Sequence, residues 1–181
     1  MNTKLFTRKL TYSALLLAIA LLLPLLTGQL QQVGNKICPM HLPIFLCGFL
    51  CGWPWALGIG VIAPLLRSVL FGMPPMMPVG ISMAFELATY GLVVGLLYAR
   101  HPGRTGWLYA SLILSMLIGR LVAGIVNVAL LGFDGYSVSL FFTGLFVNTI
   151  PGVVIQLILV PLLVRVLEKA HLSTLPVPQA I

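Results

Sequence analysis

Charge is scarce in this chain. Ten lysines and arginines and three acidic residues are all that 181 residues carry, 7% of the total, against about 25% in a soluble domain. The scarcity of carboxylates leaves no paired intramembrane aspartates. There is also no HExxH, no GxSxG and no Gly-rich Lys-Ser/Thr phosphate loop, so neither an intramembrane protease nor an ATPase is expected. Cysteine is limited to Cys38, Cys47 and Cys51. No CxxC and no Cys/His cluster accompanies them, so they read as packing residues rather than a metal or redox centre. His101 and His171 fall in segments outside the apolar runs, which leaves no pair of haem ligands. A channel filter or ring of charge is not evident either. No enzymatic activity is expected.

What the chain has in abundance is apolar surface. Hydrophobic residues make up 60% and the mean hydropathy is +1.10. A soluble fold of this size has no interior large enough for that surface, so lipid is its solvent. At roughly 20 residues per spanning helix, the length allows five to seven spans. The runs are continuous rather than alternating, which favours a helical bundle over a β-barrel.

Six helices are expected: Tyr12–Leu26, Pro39–Gly52, Trp55–Phe71, Val79–Tyr98, Trp107–Leu131 and Leu140–Leu167. Trp53-Pro54 reads as a tight turn with an interfacial aromatic. Gly72 to Pro78 breaks the chain, and Pro151 and Pro161 are expected to kink the last helix. The basic N-terminus resembles a secretory signal but lacks a small-x-small cleavage site, so the first helix is expected to be retained. Residues 1–181 then form one six-helix domain, with a disordered tail from 172 to 181. Six crossings put both termini on one side, together with Lys4, Arg8, Lys9, Arg100, Arg104, Arg165 and Lys169. Only Lys36 is left on the other. That asymmetry assigns the termini to the cytoplasm, and it accounts for the net charge of +7 without any nucleic-acid partner.

Three charges remain inside the spans: Arg67, Glu86 and Arg120. Such residues face a cavity or one another, because charge in hydrocarbon is costly. Counting along the helices places Arg67 and Glu86 within about 10 Å of the outer surface and Arg120 somewhat deeper. Glu86 and Tyr90 share a face with Met83, and Arg120 and Asn127 share one with Gly124. Asn148, Gly152 and Gln156 form a third line. Three polar stripes in the outer halves of three helices outline an outward-facing pocket for a small molecule. The plainer reading has Glu86 locking one arginine, with Asn148 and Gln156 as interhelix hydrogen bonds and His41 as a capping residue. Even then two arginines against one glutamate leave a positive charge, which suits an anionic ligand. Ala14-x-x-x-Ala18 on the first helix permits close approach of another helix, internal or external.

Several segments resemble the substrate-binding S components of energy-coupling factor (ECF) vitamin transporters. They are Pro39-Met40-His41-Leu42-Pro43, Gly48 to Pro54, Ala63-Pro64-Leu65-Leu66-Arg67, Phe71-Gly72-Met73-Pro74-Pro75 and Met83 to Gly91. Gly119-Arg120 and Asn148-x-x-Pro151-Gly152 fit as well. The resemblance implies a multi-pass protein of the bacterial plasma membrane that binds a water-soluble vitamin from outside. It implies partnership with a transmembrane coupling subunit and two ABC ATPases. The ATPases use the ATP, and this chain binds no cofactor. Toppling in the membrane would carry the pocket inward, with Ala14 and Ala18 as the docking surface. Pockets of the family use the loop after helix 1 and the outer parts of helices 4 to 6, the region where the stripes of Glu86, Arg120, Asn127 and Asn148 fall. With the other polar residues of the spans, the ligand set expected here is His41, Arg67, Glu86, Tyr90, Arg120, Asn127, Asn148 and Gln156. The likeness is greatest to pantothenate-type members. Cobalamin, hydroxymethylpyrimidine or pyridoxine, and folate are the alternatives within the family, and a membrane scaffold or sensor is the alternative outside it.

Overall fold

A long apolar segment in lipid must satisfy its own backbone, and the α-helix is the open-ended element that does so. A computed structural model describes residues 3–26, 39–135, 143–144 and 149–175, with no strand among them. Its helices are α1 (Thr3–Leu26), α2 (His41–Cys51), α3 (Trp53–Phe71), α4 (Ile81–Tyr98), α5 (Thr105–Gly135) and α6 (Ile150–Lys169), with a π-turn at Met76–Gly80 leading into α4. α1, α3, α5, α6 and the turn–α4 segment are each long and apolar enough to cross a membrane. α2 is not: its 11 residues rise only about 16 Å, half of a hydrocarbon core of about 30 Å. Every α2 residue except Leu42 is buried, so α2 is a half-length central helix that the others enclose.

The boundaries differ from the expected ones at the charged N-terminus and at the prolines. α1 starts at Thr3 rather than Tyr12, because Lys4, Arg8 and Lys9 carry the helix on beyond the apolar stretch. The turn expected at Trp53-Pro54 falls on Gly52, whose φ of +92° suits a residue without Cβ. Pro54 instead opens α3, where a missing N–H costs nothing. Pro151 does the same for α6, which begins at Ile150 behind Thr149 rather than kinking midway. Pro161 does lie inside α6. α5 contains a non-helical Gly132 close to its expected end. Of the expected tail, residues 172–175 are placed: the Thr174 amide and hydroxyl both donate to the Leu50 carbonyl, at 2.9 and 2.6 Å. Residues 176–181 lie outside the described residues.

The basic groups gather at one end of the bundle. There Arg8 donates to the His171 carbonyl, Arg165 to the Gly103 carbonyl at 2.6 Å and to Thr105 Oγ1 at 2.5 Å, and Arg165 pairs with Glu168 at 3.3 Å. Tyr98 donates to Glu168 at 2.5 Å. These bonds tie α1, α4, α5 and α6 together at the end the charge distribution assigns to the cytoplasm. Lys36, expected on the opposite side, lies outside the described residues.

Without a hydrophobic drive between helices in lipid, close packing holds the bundle together. α3 and α4 meet through small residues. A Cβ on Gly91 would lie 2.6 Å from the Ala56 backbone, and one on Gly95 would overlap the Trp53 backbone. Phe45, Phe49, Leu87, Tyr90 and Tyr98 are fully buried beneath this contact, so Phe45 and Phe49 are core residues. Cys47 and Cys51 are buried free thiols, with Cys47 Sγ 3.5 Å from Ser13 Oγ. Cys38, Phe141 and Phe142 lie outside the described residues.

Candidate functional site

The register of the helices decides which intramembrane polar groups meet. Gly60 of α3 packs on the Leu87–Ala88 backbone of α4, and the two helices run antiparallel. Seven residues beyond Gly60, Arg67 is therefore level with the start of α4, about 9 Å from the level of Glu86 along the axis. Ser68 confirms this placement, since a Cβ on Gly80 would lie 2.9 Å from Ser68 Oγ. On the other flank, Gly119 of α5 packs against the Tyr90 ring and the Glu86 carbonyl, and Ser82 Oγ donates to the Ala123 carbonyl at 3.2 Å. Arg120 is thus level with Glu86, rather than deeper.

Four of the expected residues come together here. Tyr90 donates its hydroxyl to Glu86 Oε1 at 2.5 Å. His41, in the first turn of α2, places Nε2 3.9 Å from the same oxygen and tilts its ring against Tyr90 at 5.4 Å between centroids. Arg120 donates to Thr149 Oγ1, at the start of α6. All are withdrawn from the surface: Tyr90 is 0% exposed, His41 3%, Arg120 4% and Glu86 8%. His41 Nδ1 is buried with no hydrogen-bond partner among the described residues. A buried polar atom left in that state is costly. His41 is therefore neither a cap nor a loop residue; it is a core residue with an open nitrogen.

The remaining expected residues are placed differently. Arg67 is 4% exposed but does not bond Glu86. It donates to the Leu21 carbonyl of α1 at 2.8 Å and lies 5.4 Å from the Phe71 ring centroid. Pro24 lies inside α1, where its missing N–H disturbs the carbonyls of the preceding turn, and Arg67 supplies a donor beside it. Gln156 is buried on α6 at 3% exposure, Asn127 is half-buried on α5, and Asn148 lies outside the described residues. Ala14 and Ala18 are both exposed on α1, turned away from the buried Ser13, Leu16 and Ala20.

Thr149, Phe45 and Ser82 were not singled out as site residues. Phe45 stacks on Tyr90 at 5.0 Å and 25° and so fixes the ring that holds Glu86. Thr149 was legible as a helix start, a hydroxyl residue just ahead of Ile150-Pro151. The arrangement offers a carboxylate, a guanidinium, a phenol and an imidazole with one open nitrogen, at one level of a bundle. That set can hold a small polar molecule from several sides. Among the described residues, no group of three or more His, Cys, Asp or Glu side chains is arranged to hold a metal ion.

A family model described as "ECF transporter, substrate-specific component" matches residues 8–164. No curated protein and no solved structure matches the chain.

Proposed function

The chain belongs to the substrate-specific component family of ECF transporters, and from that membership we propose that it captures pantothenate from outside the cell and delivers it inward. Membership makes it the substrate-specific membrane subunit of an ECF importer, a family of transport subunits rather than enzymes, that works with an ECF coupling module and its ATPases. The vitamin, its route and the docking surface are our reading. The observation that carries it is the buried cluster of His41, Glu86, Tyr90 and Arg120 at one level of the bundle. Pantothenate has a carboxylate for a guanidinium, and hydroxyls and an amide for a carboxylate, an imidazole and Gln156. The polar bonds tying the basic end together support entry from the opposite end. The exposed face carrying Ala14 and Ala18 supports docking of the coupling subunit there, and toppling of the whole bundle then moves the pocket inward.

Calorimetry on the purified chain tests this. Sodium pantothenate is expected to bind without ATP or partner subunits. Cobalamin, pyridoxine, hydroxymethylpyrimidine and folate form the comparison panel; tighter binding by one of them reassigns the substrate. Absence of binding by all of them would defeat the vitamin-capture reading.

A further inference from the structure

We infer that an anionic ligand enters this site together with one proton, which His41 takes up at Nδ1. The inference rests on the carboxylate ligand proposed above and adds what the site must do to accept it. Glu86 and Arg120 lie at one level and cancel in charge. Arg67, the arginine that left a positive surplus in the sequence, is about 9 Å farther along the bundle axis and is engaged with the Leu21 carbonyl and the Phe71 ring. A ligand carboxylate therefore brings one uncompensated negative charge into a membrane interior, which is strongly unfavourable.

His41 is the group able to correct this. Imidazole is the side chain that gains charge most readily near neutral pH. In its neutral form the hydrogen belongs on Nε2, which faces the Glu86 carboxylate. Nδ1 is then a bare acceptor, buried and without a partner among the described residues. A proton drawn from bulk solvent as the ligand enters, with the buffer acid as its donor and the buffer base left outside, is placed on Nδ1 and turns that atom into a donor for a ligand oxygen. The same proton adds a positive charge beside Glu86. One step thus restores neutrality and gives the open nitrogen its bond.

The other ionisable groups on the elements packed around α2 are poorly placed for the task. On α4, Tyr90 already donates to Glu86 and Tyr98 is engaged with Glu168 at the basic end. On α1, Lys4, Arg8, Lys9 and Tyr12 belong to that same end, as do Arg165, Glu168 and Lys169 of α6. On α3, Arg67 is already charged and displaced along the axis. Within α2, Cys47 and Cys51 follow His41 by about 9 and 15 Å of helix rise and take up no proton from the neutral thiol form.

Titration calorimetry of the full chain with sodium pantothenate tests this, run at about pH 8 in phosphate and in Tris. Uptake of a proton makes the observed heat depend on the buffer's ionisation enthalpy, with a slope approaching one proton. Affinity is expected to fall by up to tenfold for each unit rise in pH wherever binding takes up a whole proton. Panthenol, the neutral alcohol analogue, serves as the control, and its heat is expected to be buffer-independent. His41→Gln, checked for unchanged thermal unfolding, is expected to bind pantothenate more weakly with neither buffer nor pH dependence. Wild-type binding of pantothenate with zero proton slope overturns the inference and leaves the proposed function standing, as does His41→Gln binding with the proton slope intact. Failure of pantothenate to bind at any pH removes the ligand assignment, and the inference falls with it.

Discussion

Tyr90 and Glu86 lie one helical turn apart on α4, and the Tyr90 hydroxyl donates to Glu86 Oε1 at 2.5 Å in a fully buried setting. The pair fixes the carboxylate on one side, leaving His41 to approach the same oxygen from α2, with Arg120 of α5 at the same level. Phe45 stacked on Tyr90 makes the arrangement stiff. A site with one charge held rigidly and one imidazole nitrogen open separates residues that bind from residues that only brace, and each separation is measurable.

Arg120 and Arg67 are expected to part company. Arg120→Met removes the guanidinium level with Glu86 and should weaken pantothenate binding by at least thirtyfold, since losing one partner of a buried charged contact costs about 2–5 kcal/mol. Arg67→Met removes the bond to the Leu21 carbonyl; it should lower the thermal midpoint while keeping affinity within about threefold, an effect of less than 1 kcal/mol. Calorimetry and thermal unfolding of both variants check this, and equal loss of affinity in both would put Arg67 in the site.

Glu86→Gln tests the charge balance from the other side. With the carboxylate neutralised, Arg120 alone compensates a ligand carboxylate. Proton uptake on binding pantothenate should fall toward zero, even if affinity changes. Buffer-dependent calorimetry reads the difference, and an undiminished proton slope would locate the proton elsewhere.

The α3–α4 contact should tolerate no added carbon. Gly91→Ala places a Cβ 2.6 Å from the Ala56 backbone and is expected to destabilise by about 1–3 kcal/mol. A Cβ at Gly58 meets nothing within 4 Å, so Gly58→Ala should be neutral or gain up to about 1 kcal/mol from helix propensity. Thermal unfolding in detergent ranks the two; a stable Gly91→Ala variant would contradict the packing described.

Ala14→Trp should block assembly with the coupling module while leaving pantothenate affinity unchanged, because Ala14 is exposed on α1. Co-purification with the coupling module and calorimetry of the isolated chain provide the two readouts. Loss of both would make the alanine face part of the bundle's own packing.

Much of this was legible in the residues. Helix periodicity put Glu86 with Tyr90 on one face, and the two are bonded in the buried cluster. His41 was harder to read. Its place after Pro39 and before Pro43 suggests a loop or cap, and nothing local reveals that α2 starts deep among the other helices. Arg67 was misleading for the opposite reason: by distance from its helix end it matches Glu86, yet the Gly60 contact sets it well off that level.

Composition and the lengths of the apolar runs, by themselves, determined an all-helical membrane bundle and its six elements, because lipid tolerates few alternatives for an apolar backbone. The Pro39–Gly91 segments pointed to the transporter family that the match over residues 8–164 bears out. Tertiary structure alone decided the pairing of charges. A 3.6-residue period gives each helix a face but says nothing of how far one helix slides along its neighbour. That axial register was set by the backbone contacts at Gly60, Gly91 and Gly119, and through them Glu86 lies beside His41 and level with Arg120 while Arg67 is left to brace α1.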